Sequence, residues 1–193
     1  MNGGLAHGYT NTCWIEGDRF HKRYEGADAL QRLRVELEAL ERAAGRVPVP
    51  AVLGCEERRR EVTFARVAGE NGQDLIERGC AELVLVAAGR TLRALHPSAG
   101  PTLVHGDYGP QNLLHDPATC EVVAVVDWEF AHLGDPVEDL AWAEWIVRMH
   151  HPAAVGAVPE LLVSLRLGPG LEDAARVDAR GLPATATARR GLQ

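Results

Sequence analysis

The sequence predicts an α+β protein of two lobes, a small antiparallel sheet with one helix followed by a mainly helical lobe. Three observations carry that expectation. Residues 13–24, CWIEGDRFHKRY, read as two strands joined by Gly17-Asp18, a two-residue hairpin signal. Residues 28–44 space Leu30, Leu33, Leu37 and Leu40 three and four apart, the period of an amphipathic helix. Residues 103–116, LVHGDYGPQNLLHD, gather His105, Asp107 and Asn112 in a turn-rich loop between short apolar runs.

Along the hairpin, pairing Glu16 with Arg19 sets Ile15 opposite Phe20 and Cys13 opposite Lys22. A side-chain period of two then puts Cys13, Ile15, Phe20, Lys22 and Tyr24 on one face. The polar loop upstream, with Gly8, Thr10 and Asn11, hangs near that lysine. In the helix, Asp28 and Gln31 stand at capping-box positions, and Gly45 and Pro48 supply the stop. At about 100° per residue, Glu36 falls at the edge of the leucine stripe, facing the packed interface, while Glu38 points to solvent.

EVTFARVAGE reads as a strand leaving through Gly69, GENGQDLIERG as a connector between lobes, and AELVLVAAGRTLRALHP as a buried helix ended by Pro97. TLVHGD, NLLHD and EVVAVVDWE are short strands, separated by the loop at 105–112 and the turn DPATC; PVEDLAWAEWIVRMH is a helix. The expected division is a first lobe over 1–68, a second over 69–167 holding the catalytic and metal loops, and a loosely ordered tail over 168–193.

Composition narrows the function. At 46% hydrophobic residues the chain can build a core. A net charge of −7 without a clustered basic footprint argues against nucleic acid as a partner. Cys13, Cys55, Cys80 and Cys120 form no C-x-x-C pair, so neither a zinc knuckle nor a disulfide framework is expected, and a reducing cytoplasm fits. No apolar run approaches the roughly 18 residues of a membrane span. Of the 20 basic residues, Lys22 alone is lysine, which singles it out where a compact, mobile ammonium is needed.

Phosphoryl transfer from ATP asks for a lysine on the phosphates, an acid to orient it, metal ligands, and a carboxylate near the acceptor hydroxyl. The chain offers these in order: Lys22 on a strand, Glu36 on the next helix, an H-x-D-x-x-x-x-N loop with Asp107 and Asn112, and Asp127 at a strand end. With GYTNTCW, HKRY, RLRVELEAL, HGDYGPQNLL and VVDWEFAHLGDPVEDLAW, the chain resembles the aminoglycoside phosphotransferase family, whose members share the protein-kinase-like fold. The resemblance covers roughly residues 3–150. It implies that Asp107 is the catalytic aspartate, that Asn112 and Asp127 hold Mg²⁺, and that Lys22 holds the ATP phosphates with Glu36 as its partner. It also implies that the loop with Gly8, Thr10 and Asn11 covers the triphosphate, that residues near 66–69 hinge over the adenine, and that the acceptor is a small-molecule hydroxyl.

His105 is expected to bond the loop backbone, and Asp135 and Asp139 to brace the catalytic loop or cap a helix. The acids Asp127, Glu129, Asp135, Glu138, Asp139 and Glu144 would suit a cationic acceptor such as an aminoglycoside. Two departures stand out. The nucleotide loop lacks G-x-G-x-x-G, and the sequence does not go on to the further helices that wall the family's acceptor pocket. The second motivates an alternative, a weakly active or inactive kinase-like nucleotide-binding protein. A third reading, a His/Asp metal hydrolase using His105 and Asp107, would not need the Lys22 and Glu36 pair; His115, His132, His150 and His151 supply no i, i+4 ligand pair for it.

Overall fold

The hairpin at 11–24 pairs in the expected register. In the computed structural model, which describes residues 5–7, 11–97 and 101–166, strands β2 (Asn11–Glu16) and β3 (Arg19–Tyr24) are antiparallel with Cys13 opposite Lys22 and Ile15 opposite Phe20. Gly17 turns the chain at φ 62°, a conformation glycine takes without a Cβ penalty. One face of the pair turns inward: Cys13, Lys22 and Tyr24 are buried. On the other, Trp14 stacks on His21 at 4.8 Å.

With β1 (Leu5–His7), β4 (Val52–Glu56) and β5 (Glu61–Ala65), the hairpin builds an antiparallel sheet in the order β1-β2-β3-β5-β4. Helix α1 (Ala29–Ala43) buries Leu33, Ala39, Leu40 and Ala43 together with Arg32 and Glu36. Glu38 is solvated and pairs with Arg42 one turn on. The expected capping box is not formed: the Asp28 side chain makes no cap hydrogen bond, because the Arg32 guanidinium takes its carboxylate at 3.3 Å.

The segment read as a plain connector contains β6 (Glu70–Asn71) and α2 (Gly72–Glu77). Asn71 explains both. Its Oδ1 accepts the Gln73 N–H as a helix cap, and its Nδ2 donates to the Gln111 carbonyl at 2.7 Å, tying the connector to the 105–112 loop. Helix α3 (Ala81–Leu95) then leads to β7 (Thr102–Val104), β8 (Leu113–His115), β9 (Val122–Val125), β10 (His132–Gly134) and α4 (Val137–His150). A last helix, α5 (Val158–Arg166), packs on α3. The contact is close because Gly89 has no Cβ, which would strike the Leu161 backbone and the Ser164 side chain. The expected tail over 168–193 lies outside the described residues.

A core including Leu33, Leu85, Leu92, Tyr108, Leu113 and Trp128 runs through both lobes. The residues with chemistry sit at its edge, on β3, on α1, on the loop after β7 and on the segment after β9.

Candidate active site

Strand β7 delivers the chain to His105 with its side chain fully buried. The Asp107 N–H donates to His105 Nδ1 at 3.2 Å, so the ring proton sits on Nε2, which donates to the Val126 carbonyl at 3.0 Å. Both ring nitrogens are thereby spent on backbone, and the loop is laced to the strand end before Asp127. Gly106 follows at φ 81° with the Phe130 backbone against it, a place with no room for a side chain.

Asp139, on the first turn of α4, clamps the loop from the other side. Its carboxylate accepts the N–H groups of His105 (2.8 Å) and Gly106 (2.9 Å) and faces His96 Nε2 at 3.2 Å, with no solvent exposure. Burial pushes the carboxyl upward, but the bonds from His96 and from the two backbone amides win and hold it below its ordinary 3.8. A depressed carboxyl stabilises the fold above its unfolded pKa and loses that contribution as pH falls through the folded one. Asp139→Asn is therefore expected to cost about 2–4 kcal/mol at pH 7, with the gap to the parent narrowing below pH 3.8. Urea titrations at pH 7 and pH 3 check this; an equal gap at both would refute it. Asp135 does cap α4, its Oδ1 accepting the Val137 N–H at 2.9 Å.

Past Gly109 a single helical turn, Pro110–Asn112, swings Asn112 back toward Asp107. Asn112 Nδ2 donates to the Asp107 carbonyl and to Oδ2, both at 2.8 Å, which turns the amide oxygen away from Asp107. Asp107 Oδ1 accepts the Trp142 indole N–H at 2.6 Å and Gln111 Nε2 at 3.4 Å.

Across the interlobe space, Lys22 Nζ lies 2.6 Å from Glu36 Oε2, 2.5 Å from Asp127 Oδ1 and 3.5 Å from Glu129 Oε2. Burial alone would discharge the amine; Glu36, Asp127 and Glu129 outweigh it and raise its pKa, so Lys22 stays charged. Glu36 is held in turn by the Tyr24 hydroxyl and by the Trp128 N–H at 3.3 Å. Burial pushes the neighbouring Cys13 thiol up to about 11 against the pull of Lys22, leaving it protonated at neutral pH. Asp127 is a non-glycine residue at φ 68°, the strained kind of backbone found at functional sites.

Glu129 and Arg32 are the residues that sequence reasoning did not place. Glu129 belongs to no surface field for an acceptor: it is 2% exposed and accepts Arg32 Nη1 and Asn11 Nδ2, both at 2.7 Å. Arg32 lies one helical turn before Glu36, and Glu129 two residues after Asp127; those spacings were the available signal. Asn11 opens β2 with its side chain committed to Arg32 and Glu129, while Gly8 and Thr10 lie outside the described residues.

Glu36, Asp127 and Glu129 bring carboxylate oxygens within 4.8 Å of one another, and no histidine joins them among the described residues. Lys22 faces all three acids, and Arg32 shares Glu129 with it. Asp127 is the cluster's open member, with 37% of the side chain exposed. Its carboxylate and the averted amide oxygen of Asn112 are hard oxygen donors on the wall of one interlobe cavity of about 430 Å³, a donor set that fits Mg²⁺ with waters completing the shell. Ile15, Phe20, Phe64, Val67, Leu114 and Val126 give the same cavity its apolar walls.

Residues 97–160 match the phosphotransferase enzyme family. Among solved structures, a choline/ethanolamine kinase family protein from Mesorhizobium loti superposes with TM-score 0.69 at 17% identity, over 86% of this chain and 69% of that one. The streptomycin-ATP-APH(2")-IIa ternary complex superposes with TM-score 0.67 at 12% identity, over 93% of this chain and 81% of that one. Among curated proteins, acyl-CoA dehydrogenase family member 10 of Mus musculus is 52% identical over 42 residues, 22% of this chain and 4% of that protein. Family member 11 of Homo sapiens is 46% identical over 39 residues, 20% of this chain and 5% of that protein. The chain thus spans only a small fraction of those curated relatives. The match to the phosphotransferase enzyme family thus lies in residues 97–160, and the fold carrying that segment is the two-lobed, kinase-like one shared with aminoglycoside phosphotransferases and choline kinase-like proteins.

Proposed function

We propose that the chain is an ATP- and Mg²⁺-dependent O-phosphotransferase that phosphorylates a hydroxyl of a small molecule. The observation that carries this reading is the Lys22 ammonium, buried in the wall of the interlobe cavity and shared between Glu36 and Asp127. A His/Asp metal hydrolase has no use for a charged lysine held between an anchoring acid and a strained, half-open one.

When bound, Mg·ATP would supply the transferable phosphoryl group, with Mg²⁺ offsetting the charge of the phosphate and carboxylate oxygens that face it. Lys22 keeps Glu36 as its anchor and presents the ammonium to the phosphates. Ile15, Phe20 and Phe64 offer apolar faces to the purine. Asn112 and Asp127 present the metal-binding oxygens. Asp107, one hydrogen bond from Asn112, orients the acceptor hydroxyl and takes its proton on a carboxylate oxygen. Positioning and charge neutralisation do most of the work in such a reaction, so the backbone clamp from Asp139 and the ring of His105 serve rate as well as stability.

The acceptor class is open to a direct assay. ADP release is followed over a panel of aminoglycosides, amino alcohols, sugars and other hydroxylated metabolites, with Mg²⁺ and with EDTA. Acceptor-stimulated release that EDTA abolishes is the expected result. Tight Mg·ATP binding with silence across the panel would instead favour the nucleotide-binding protein without transfer activity.

A further inference from the structure

Asp107 accepts one hydrogen bond that phosphoryl transfer does not require. The donor is Trp142 Nε1, at 2.6 Å from Oδ1. Trp142 stands one helical turn after Asp139 on α4, so the same face of the helix holds the loop backbone with one residue and the loop carboxylate with the next.

Trp128 packs in the core with no exposure. Trp142 is 39% exposed, and Trp145, stacked on it at 5.0 Å with an interplanar angle of 26°, is 45% exposed. The polar edge of Trp142 is spent on the base while the two ring systems stay accessible beside it. The acids of α4 are already engaged: Glu138 with His132, Asp139 with the loop, Glu144 with Arg148. A molecule that brings a hydroxyl to Asp107 along α4 therefore meets indole surface rather than unpaired carboxylates.

We infer that Trp142 and Trp145 form the acceptor wall of the site: Trp142 is a positioning residue that fixes the Asp107 carboxylate, and the stacked indoles take an apolar ring or alkyl face adjoining the hydroxyl to be phosphorylated. This rests on the phosphotransferase reading. The wall selects acceptors that pair a hydroxyl with an apolar face over those that are polar all round, because only the former bury surface against the rings.

The test reads the four indole N–H resonances of the full-length protein, assigned by single Trp→Phe variants. Asp107→Asn is expected to move the Trp142 signal and leave that of Trp145 in place. With Mg²⁺ and a non-hydrolysable ATP analogue present, cyclohexanol is expected to shift the Trp142 and Trp145 signals, and glycerol at equal concentration to leave them. Trp142→Phe should lower kcat for ADP release, with water as acceptor, about tenfold at unchanged KM for ATP. A Trp142 signal indifferent to Asp107→Asn, an equal response to the two alcohols, or parental kcat in Trp142→Phe would overturn the inference. Absence of ADP release from the parent protein with Mg·ATP, with water or with any acceptor, would overturn the phosphotransferase reading instead, and the resonance measurements separate the two failures because they involve no turnover.

Discussion

Asp107→Asn is expected to lower phosphoryl transfer by roughly 10²- to 10⁴-fold while leaving Mg·ATP affinity within about threefold. The asymmetry follows from where the side chain stands. Asp107 touches the nucleotide cavity through Gln111, at 3.4 Å, and Asn112, whose Nδ2 also bonds the Asp107 carbonyl and so keeps an anchor when the carboxylate is gone. The metal donors are then undisturbed. What the amide cannot do is accept the hydroxyl proton, and its NH₂ group must also face donors on either side, Asn112 Nδ2 at one position or Trp142 Nε1 and Gln111 Nε2 at the other. That donor conflict costs about 1 kcal/mol of local stability, too little to unfold the loop that Asp139 clamps. Calorimetric binding of a non-hydrolysable ATP analogue and single-turnover transfer measure the two halves separately. Transfer at the parental rate would remove Asp107 from the role of base; a parallel collapse of nucleotide affinity would show that the residue shapes the metal site as well.

Where the sequence was legible, the reason is that the pattern was local. The hairpin register followed from one turn and a period of two, and placed Lys22 on the inward face where it is found. The leucine period of α1 separated Glu36 from Glu38, and the structure buries the first and solvates the second. Two of the strands that went unread have no pattern to read. Strand β4 is exposed along its length and irregular at Gly54, and β10 is three residues with Leu133 turned to solvent, so neither shows an apolar alternation. Glu129 and Arg32 were missed for a different reason. Each looks like an ordinary solvated charge until the fold brings α1 against the segment after β9, a contact between residues 97 apart in the chain. Asn11 shows the reverse: its type and place suited a phosphate loop, yet in the folded chain its side chain bridges that same pair.

Lys22→Met is expected to remove nucleotide-dependent turnover and to destabilise the protein together, by roughly 10² or more in kcat/KM for ATP and about 3–5 kcal/mol in unfolding free energy. The second effect arises because Glu36 and Glu129 are 3% and 2% exposed and both face the ammonium. A thioether of similar length fills the space and offers no charge. Arg32 continues to hold Glu129, so the heavier loss falls on Glu36, left among the described residues with the Tyr24 hydroxyl and the Trp128 amide. The double variant Lys22→Met/Glu36→Gln separates structure from function. Neutralising Glu36 removes the stranded charge and is expected to recover most of the lost stability, since the glutamine carbonyl still accepts from Tyr24. Turnover should not return, because the cavity then has no ammonium for the phosphates. Urea titration and ATP kinetics on both variants decide it. Recovery of turnover alongside stability would mean that the one lysine in the chain serves only to neutralise Glu36, and the phosphate-binding role would have to be given up.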